Sequence, residues 1–383
     1  MSNIRILYLL SGLGKPASIP FYEKYISLSK YFSGDIVFPI GKGIEHTRLK
    51  QIGNFNLHSH RYIRENILIR TFYSFFMTVL HALIIFFKER RYQIIVSTNP
   101  LSTGLVAILI SKLTRSKVII EINGNFESAY KYDSKYGFGN RLGMTFKDKI
   151  SKHIISYVIK KADAVKLVYE KQLEPLELNI NGSTKIFCFA NFVPIRKFIE
   201  SNKIDEGYIL LLGYPWYLKG VDILIKAFNK ISHEFPNIKL KIFGWCPSGR
   251  EYFENLTEGN PNIELNDPVY YEDVIRLMTN CTLYVLASRT DSSPRVLREA
   301  MASKKPIVAA DIDGVPDLIR DGFNGLLFRK EDVEDLADKM RKFLSDHVLA
   351  ERLARNGLAY VQENLSEESY VGCYKNMVDT ILS

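Results

Sequence analysis

The residues of this sequence best placed to do chemistry are two carboxylates, a lysine and a serine-rich helix start. Asp291 and Glu299, with seven residues between them, lie in SRTDSSPRVLREAMASKKPIVAADIDGVPDLI (288–319). The pattern predicts a strand, a short serine turn, a helix, a second strand and a glycine turn. Ser293 is expected to cap the helix, with Pro294 at its first position. First-turn N–H groups have no intrahelical acceptor and carry partial positive charge. Ser292, Ser293, Pro294, Arg295 and Val296 therefore form a seat for a diphosphate. Asp291 lies just before the helix and Glu299 about one and a half turns into it. Both can face a ligand at the carboxyl edge of a parallel sheet. The alternative for Glu299 is a surface glutamate paired with Arg295 at i, i+4.

A second stretch, YILLLGYPWYLKGVDILIKAF (208–228), runs from an apolar strand through a glycine turn at Gly213 to Lys219, just before a helix. A cation at a helix start opposes the helix dipole, so Lys219 is better explained by a bound anion than by local stability.

The elements needed to hold these groups are legible along the chain. Apolar strands are expected at 4–10, 36–40, 93–99, 117–122, 164–169 and 185–190, with helices at 101–113 and 144–161 between them. After a polar linker at 201–207 the pattern restarts. A strand opening at Tyr208 leads to a helix at 221–232 and strands at 239–245, 283–288 and 305–311. Helices at 331–345, 347–363 and 367–382 close the chain. Alternating strands and helices predict α/β architecture with parallel sheets covered on both faces. ILYLLSGLGKP near the start and YILLLGYPWYLKG echo one another, which suggests two similar domains. We assign an N-terminal domain to 1–195 and a C-terminal domain to 206–365. A last helix, 366–383, returns to the first domain.

In this order the motifs resemble the retaining GT-B glycosyltransferases of glycosyltransferase family 4. The signature there is two acids seven residues apart, then an Ala-Met-Ala helix and a strand; here it reads Asp291-x7-Glu299. The resemblance implies two Rossmann-like domains facing each other across a cleft. It implies a nucleotide-sugar donor, UDP- or GDP-linked, held by the C-terminal domain 206–365, an acceptor held by the N-terminal domain 1–195, and no metal cofactor. Glu299 would hydrogen-bond the ribose, Asp291 the donor-sugar hydroxyls, and Gly213 with Lys219 the diphosphate. SGLGKPAS (11–18) places Gly12 and Gly14 beneath the diphosphate. Asn123, in EINGNF, stands where many members have a histidine near the transferring sugar, and FANFV (189–193) matches the hinge with Phe192 in place of glycine. Other departures are Asp291 for glutamate, Ser292-Ser293 for glycine, and Tyr214 for an arginine; Arg289 and Arg295 are candidates to supply the missing cation. The reaction implied is retaining transfer of a sugar to a glycan or lipid-phosphate-linked acceptor, as in capsule, O-antigen or exopolysaccharide assembly. The rival readings are an epimerase of the same fold and a non-catalytic nucleotide-sugar-binding protein.

Composition bounds these expectations. The chain has 383 residues, 46% hydrophobic and 24% charged, which is globular chemistry with room for two cores. Net charge is +9, but 27 Lys and Arg meet 13 Asp and Glu in residues 1–195, against 24 and 29 in the remainder. The basic half suggests an anionic partner: membrane phospholipid or a phosphate-linked acceptor. No nucleic-acid motif accompanies it. TFYSFFMTVLHALIIFF (71–87) is too short to span a bilayer and reads as a core or membrane-surface helix. A loop over 125–150 mixes aromatic and basic residues suited to a sugar phosphate. Cys188, Cys246, Cys281 and Cys373 are far apart and read as reduced, mostly buried thiols of a cytoplasmic protein peripheral to the inner membrane face. His58 and His60 read as a solvated loop. Asp311-Ile312-Asp313 is a bare Asp-x-Asp in a turn rather than a metal site. Gly12-Leu13-Gly14 with Ala17 satisfies a dinucleotide fingerprint, but the next strand ends in Gly41-Lys42 without the required acid.

Overall fold

A computed structural model of the protein describes residues 4–11, 18–40, 49–61, 67–89, 92–124, 141–176, 183–201, 204–246 and 249–383. These form two compact units. One holds the described residues of Met1–Asn123, Thr145–Phe192 and Tyr370–Ser383, the other those of Gly124–Met144 and Val193–Ser369. The chain passes between units at Asn123/Gly124, at Met144/Thr145, at Phe192/Val193, within the segment read as a hinge, and at Ser369/Tyr370.

The first unit is built on an eight-stranded sheet. Its strands are β1 (Ile4–Leu9), β2 (Phe32–Ile40), β3 (Gln51–Ile52), β4 (Phe55–Arg61), β5 (Ile94–Ser97), β6 (Lys117–Glu121), β7 (Ala164–Leu167) and β8 (Lys185–Cys188). Their order is β3-β4-β2-β1-β5-β6-β7-β8, parallel except for the β3–β4 pair. The β3–β4 hairpin corrects the solvated-loop reading of His58 and His60. Both lie on β4, His60 is buried, and His58 Nε2 is 2.7 Å from the buried Asp35 carboxylate. The C-terminal helix Glu367–Leu382 buries Tyr370, Tyr374, Met377, Val378 and Ile381 in this unit's core.

The second unit has six parallel strands: β9 (Tyr208–Leu212), β10 (Lys239–Phe243), β11 (Ile263–Asn266), β12 (Leu283–Leu286), β13 (Ile307–Ala310) and β14 (Leu326–Phe328). Their order is β11-β10-β9-β12-β13-β14, the doubly wound arrangement that reverses direction between β9 and β12. The echoing segments of the sequence are thus topologically equivalent: β1 sits between β2 and β5, and β9 between β10 and β12. The helix Val221–Ile231 shows how the pattern becomes packing. Val221, Leu224, Ile225, Phe228 and Ile231, spaced by three and four, are all fully buried. Each such side chain contributes about 1.5–3 kcal/mol.

The helix Ile67–Glu89 is not a plain core helix. Thr78, Ala82 and Ile85 are buried, whereas Phe76, Leu80, Ile84 and Phe87 form an exposed apolar stripe. No described helix is long and apolar enough to cross a membrane. The thiols also depart from expectation: none of the four is in a disulfide, but Cys188 and Cys373 are exposed, Cys246 is half-buried and only Cys281 is buried.

Candidate active site

The doubly wound order of the second sheet opens a crevice at the carboxyl ends of β9 and β12, and both chemical segments emerge there. β9 runs into Gly213, whose φ of 148° suits a residue without a Cβ. The Lys219 stem lies against it, with Cγ, Cδ and Cε each 3.2 Å from where a Cβ would stand. Gly220 then takes φ 67° as the cap of the Val221–Ile231 helix. A Cβ there would meet the Ala287 carbonyl oxygen at 1.9 Å, so glycine is required for the turn to lie against the end of β12.

Across the crevice, β12 leads to Asp291, and Lys219 Nζ is 2.6 Å from its Oδ2. Both side chains keep some exposure, 20% and 16%, so the pair is reachable by ligand. Asp291 is positioned by Asp313, which accepts hydrogen bonds from its backbone N–H (2.8 Å) and from the Thr290 hydroxyl. The Asp-x-Asp weighed in the sequence as a metal site therefore includes the brace of the turn. Among the described residues, no group of three or more His, Cys, Asp or Glu could hold a metal.

The helix Arg295–Ala302 starts one residue later than expected. Pro294 occupies the cap position and no side chain caps the helix; the Ser293 hydroxyl is buried without a hydrogen-bond partner. Ser292 and Pro294 are buried, Val296 is half-buried against the core and Arg295 is exposed. Glu299 is fully buried, which excludes the surface-glutamate alternative even though its Oε1 does pair with Arg295 Nε at 3.1 Å. Tyr271, unremarked in the sequence, donates its hydroxyl to the same oxygen at 2.7 Å. The other oxygen, Oε2, is buried and has no hydrogen-bond partner. Burial raises the Glu299 carboxyl above the ordinary glutamate range, against the opposing pull of Arg295, Tyr271 and Arg298. Burial likewise brings the neighbouring Arg298 guanidinium down to about 10.

Arg289 does not supply a cation for the crevice. It is buried, forks onto both Asp222 oxygens at 2.8 and 2.7 Å, and donates Nε to Glu331 at 2.6 Å. Its donors are spent inside the fold. Tyr214, at the position expected to carry arginine, is 62% exposed and meets Trp245 edge to face. Asn123 lies in the first unit, exposed at the end of β6, and its side chain hydrogen-bonds Glu121. Gly12 and Gly14, and most of the aromatic and basic loop over 125–150, lie outside the described residues.

Residues 195–359 match the family model described as Glycosyl transferases group 1. An uncharacterized glycosyltransferase of Methanocaldococcus jannaschii is 28% identical over 215 residues, 51% of this chain and 59% of that relative's length. The capsular polysaccharide biosynthesis glycosyltransferase CapM of Staphylococcus aureus is 24% identical across 100% of this chain and 98% of its own. Sucrose-phosphate synthase from Thermosynechococcus elongatus superposes with a TM-score of 0.81 at 14% identity, covering 99% of both chains. Anabaena HepE in complex with UDP-glucose superposes with a TM-score of 0.72 at 16% identity, covering 99% of this chain and 100% of the other. The fold is GT-B, and the chain carries a glycosyltransferase group 1 domain.

Proposed function

We propose that this glycosyltransferase moves a sugar from a UDP- or GDP-linked donor to a glycan or lipid-phosphate-linked acceptor, with retention and without a metal. The observation that carries this is the second unit's crevice. A Lys219–Asp291 pair sits at the switch point, and a buried Glu299 keeps one acceptor oxygen unsatisfied. A buried acceptor without a partner costs about 1–3 kcal/mol, which a ligand hydroxyl recovers. The ribose hydroxyls bind Glu299 Oε2. The diphosphate lies against the helix start at Pro294 to Val296, where Lys219 meets the charge that builds on the leaving group. Asp291 binds the donor-sugar hydroxyls. As the bond from the sugar to the diphosphate breaks, the acceptor hydroxyl adds on the same face and its proton passes to the departing phosphate oxygen.

The full-length likeness to CapM supports a role in surface polysaccharide assembly. The exposed stripe of Phe76, Leu80, Ile84 and Phe87, in a chain half rich in Lys and Arg, supports peripheral contact with the inner membrane face, in the cytoplasm. The test is a thermal-shift screen of UDP, GDP, ADP and CMP, then turnover of the matching labelled nucleotide-sugar. UDP or GDP at a hundred times its Kd should stabilise by about 2.7 kcal/mol. Transfer should require acceptor; a labelled epimer formed without acceptor would overturn the reading in favour of an epimerase, and binding without turnover in favour of a non-catalytic protein.

A further inference from the structure

The edge of the second sheet carries a feature that the donor chemistry above does not use. β9 and β10 are adjacent and in register to their last residues, Leu212 opposite Phe243. The backbones stay in contact just beyond, since a Cβ on Gly244 would meet the Gly213 carbonyl oxygen at 1.9 Å. Tyr214 and Trp245 therefore leave the sheet side by side, from two strand ends that cannot separate without breaking the Gly213 N–H bond to the Phe243 carbonyl. Their ring centroids are 6.3 Å apart at 75°, while 62% of Tyr214 and 54% of Trp245 remain exposed. The loop below them is anchored: Trp216 is buried, edge to face with Phe253, and the Arg250 guanidinium lies over the Trp216 ring, 5.3 Å from its centroid. Lys219 rests on the same Gly213 turn.

Two large aromatic rings left open to solvent on a rigid support, beside an anion-binding lysine, are poor surface chemistry and good ligand chemistry. We propose that Tyr214 and Trp245 form an aromatic subsite that takes the apolar face of a pyranose ring. The corner between two rings at near right angles accommodates a puckered ring, which presents C–H groups to one π face and an edge to the other. Tyrosine at position 214 gives up a cation near the diphosphate and places a stacking surface there instead. The subsite rests on the donor reading above. Its sugar comes either from the donor or from the acceptor.

The chain has two tryptophans, and Trp216 is buried, so acrylamide quenching of fluorescence reads Trp245. The probes are UDP, GDP, UDP-glucose, UDP-N-acetylglucosamine, GDP-mannose and methyl α-D-glucopyranoside. We expect a sugar-bearing probe to shield Trp245 where its nucleoside diphosphate does not. By calorimetry, Tyr214→Ala and Trp245→Ala should each weaken that probe about five- to tenfold while leaving the nucleoside diphosphate unchanged, and Tyr214→Phe should retain most of the affinity. Shielding by a nucleotide-sugar assigns the subsite to the donor, and shielding by the methyl glycoside to the acceptor. Equal shielding by UDP or GDP alone would mean base stacking and overturn the proposal, as would the absence of shielding by every sugar-bearing probe. Failure of any nucleoside diphosphate to raise the melting temperature would instead remove the donor reading, and the subsite with it.

Discussion

Two buried glutamates, one in each unit, show how differently the same side chain can be used. Glu121 ends β6 of the first unit and Glu299 lies in the helix after β12 of the second; neither is more than 1% exposed. Burial acts to raise both carboxyls. At Glu121 it is outweighed by Lys24, by the buried Lys166, by the Tyr374 hydroxyl and by Asn123, so the group titrates below the ordinary range. At Glu299 burial wins, and the group titrates above it. The first carboxylate is satisfied by its own fold: Tyr374 on the C-terminal helix donates to Oε1 at 3.1 Å, and Lys24 is 3.7 Å from Oε2. The second has its partners on one oxygen only. A buried acid that the fold completes is architecture, and one that the fold leaves half-complete is a place for a ligand.

The comparison breaks most visibly on stability. Glu121→Ala leaves Lys166 buried without its countercharge and should cost about 3–5 kcal/mol in a urea titration. Glu299→Gln should cost far less, because it removes an ionised group that burial already disfavours. Equal losses would mean that both acids are structural. On activity the order reverses. Lys219→Ala should lower turnover about 100- to 1,000-fold with little change in melting temperature, as expected for a group meeting leaving-group charge. A loss confined to KM would place Lys219 in ground-state binding alone.

The legibility of the two units differs for the same reason. The second unit's candidate site is written in short local motifs, because Gly213 and Gly220 take backbone geometry that few residue types permit. Hence Lys219, Asp291 and Glu299 could be named from spacing. Tyr271 could not, since its tie to Glu299 spans 28 residues and exists only once the helices pack. Trp245 was equally silent: nothing local distinguishes an exposed tryptophan at a strand end from a buried one. Arg289 was misjudged because its pairing with Asp222 spans 67 residues. In the first unit, β3 and β4 were missed because GNFNLHSHR lacks the apolar run that marks a buried strand, although Asp35 on β2 recruits His58 and Asn56 across the ladder.

The first unit's exposed stripe gives a smaller, salt-sensitive effect. The helices Ile67–Glu89 and Ser102–Thr114 hold a single acid, Glu89, and expose Phe76, Leu80, Ile84, Phe87, Leu109 and Leu113 beside Lys88 and Lys112. Ile84→Ser with Phe87→Ser should weaken partitioning to vesicles of mixed zwitterionic and anionic lipid about tenfold or more at low salt. The second unit's aromatic pair should not matter there. If Tyr214→Ala reduced vesicle binding as much, the division between a lipid-facing unit and a sugar-facing unit would fail.

The smallest effect bears most directly on the two glutamates. In the proposed function Glu299 would accept from a ribose hydroxyl, best as the carboxylate, and its raised titration means that it protonates at a higher pH than an ordinary glutamate. Affinity for UDP or GDP should therefore begin to fall earlier on acidification than a normal carboxylate would allow. Stability moves the other way. A carboxyl whose folded pKa exceeds its unfolded value binds more protons when folded, so it adds stability as the pH drops through the folded value. Glu121, lowered in the fold, contributes stability that is lost only as the pH falls through its own lower value. Tyr271→Phe isolates the Glu299 contribution. It keeps the ring, which packs edge to face with Phe198 and lies under the Arg295 guanidinium, and removes only the hydroxyl donor. Without that donor the carboxyl should rise further, and nucleotide affinity should fall by about 1 kcal/mol near neutrality and by more toward pH 5.5. Calorimetric titrations of the bound nucleoside diphosphate between pH 5.5 and 8 read this directly. A variant whose affinity is uniformly lower, with the wild-type pH profile, would show that Tyr271 shapes the crevice without tuning Glu299.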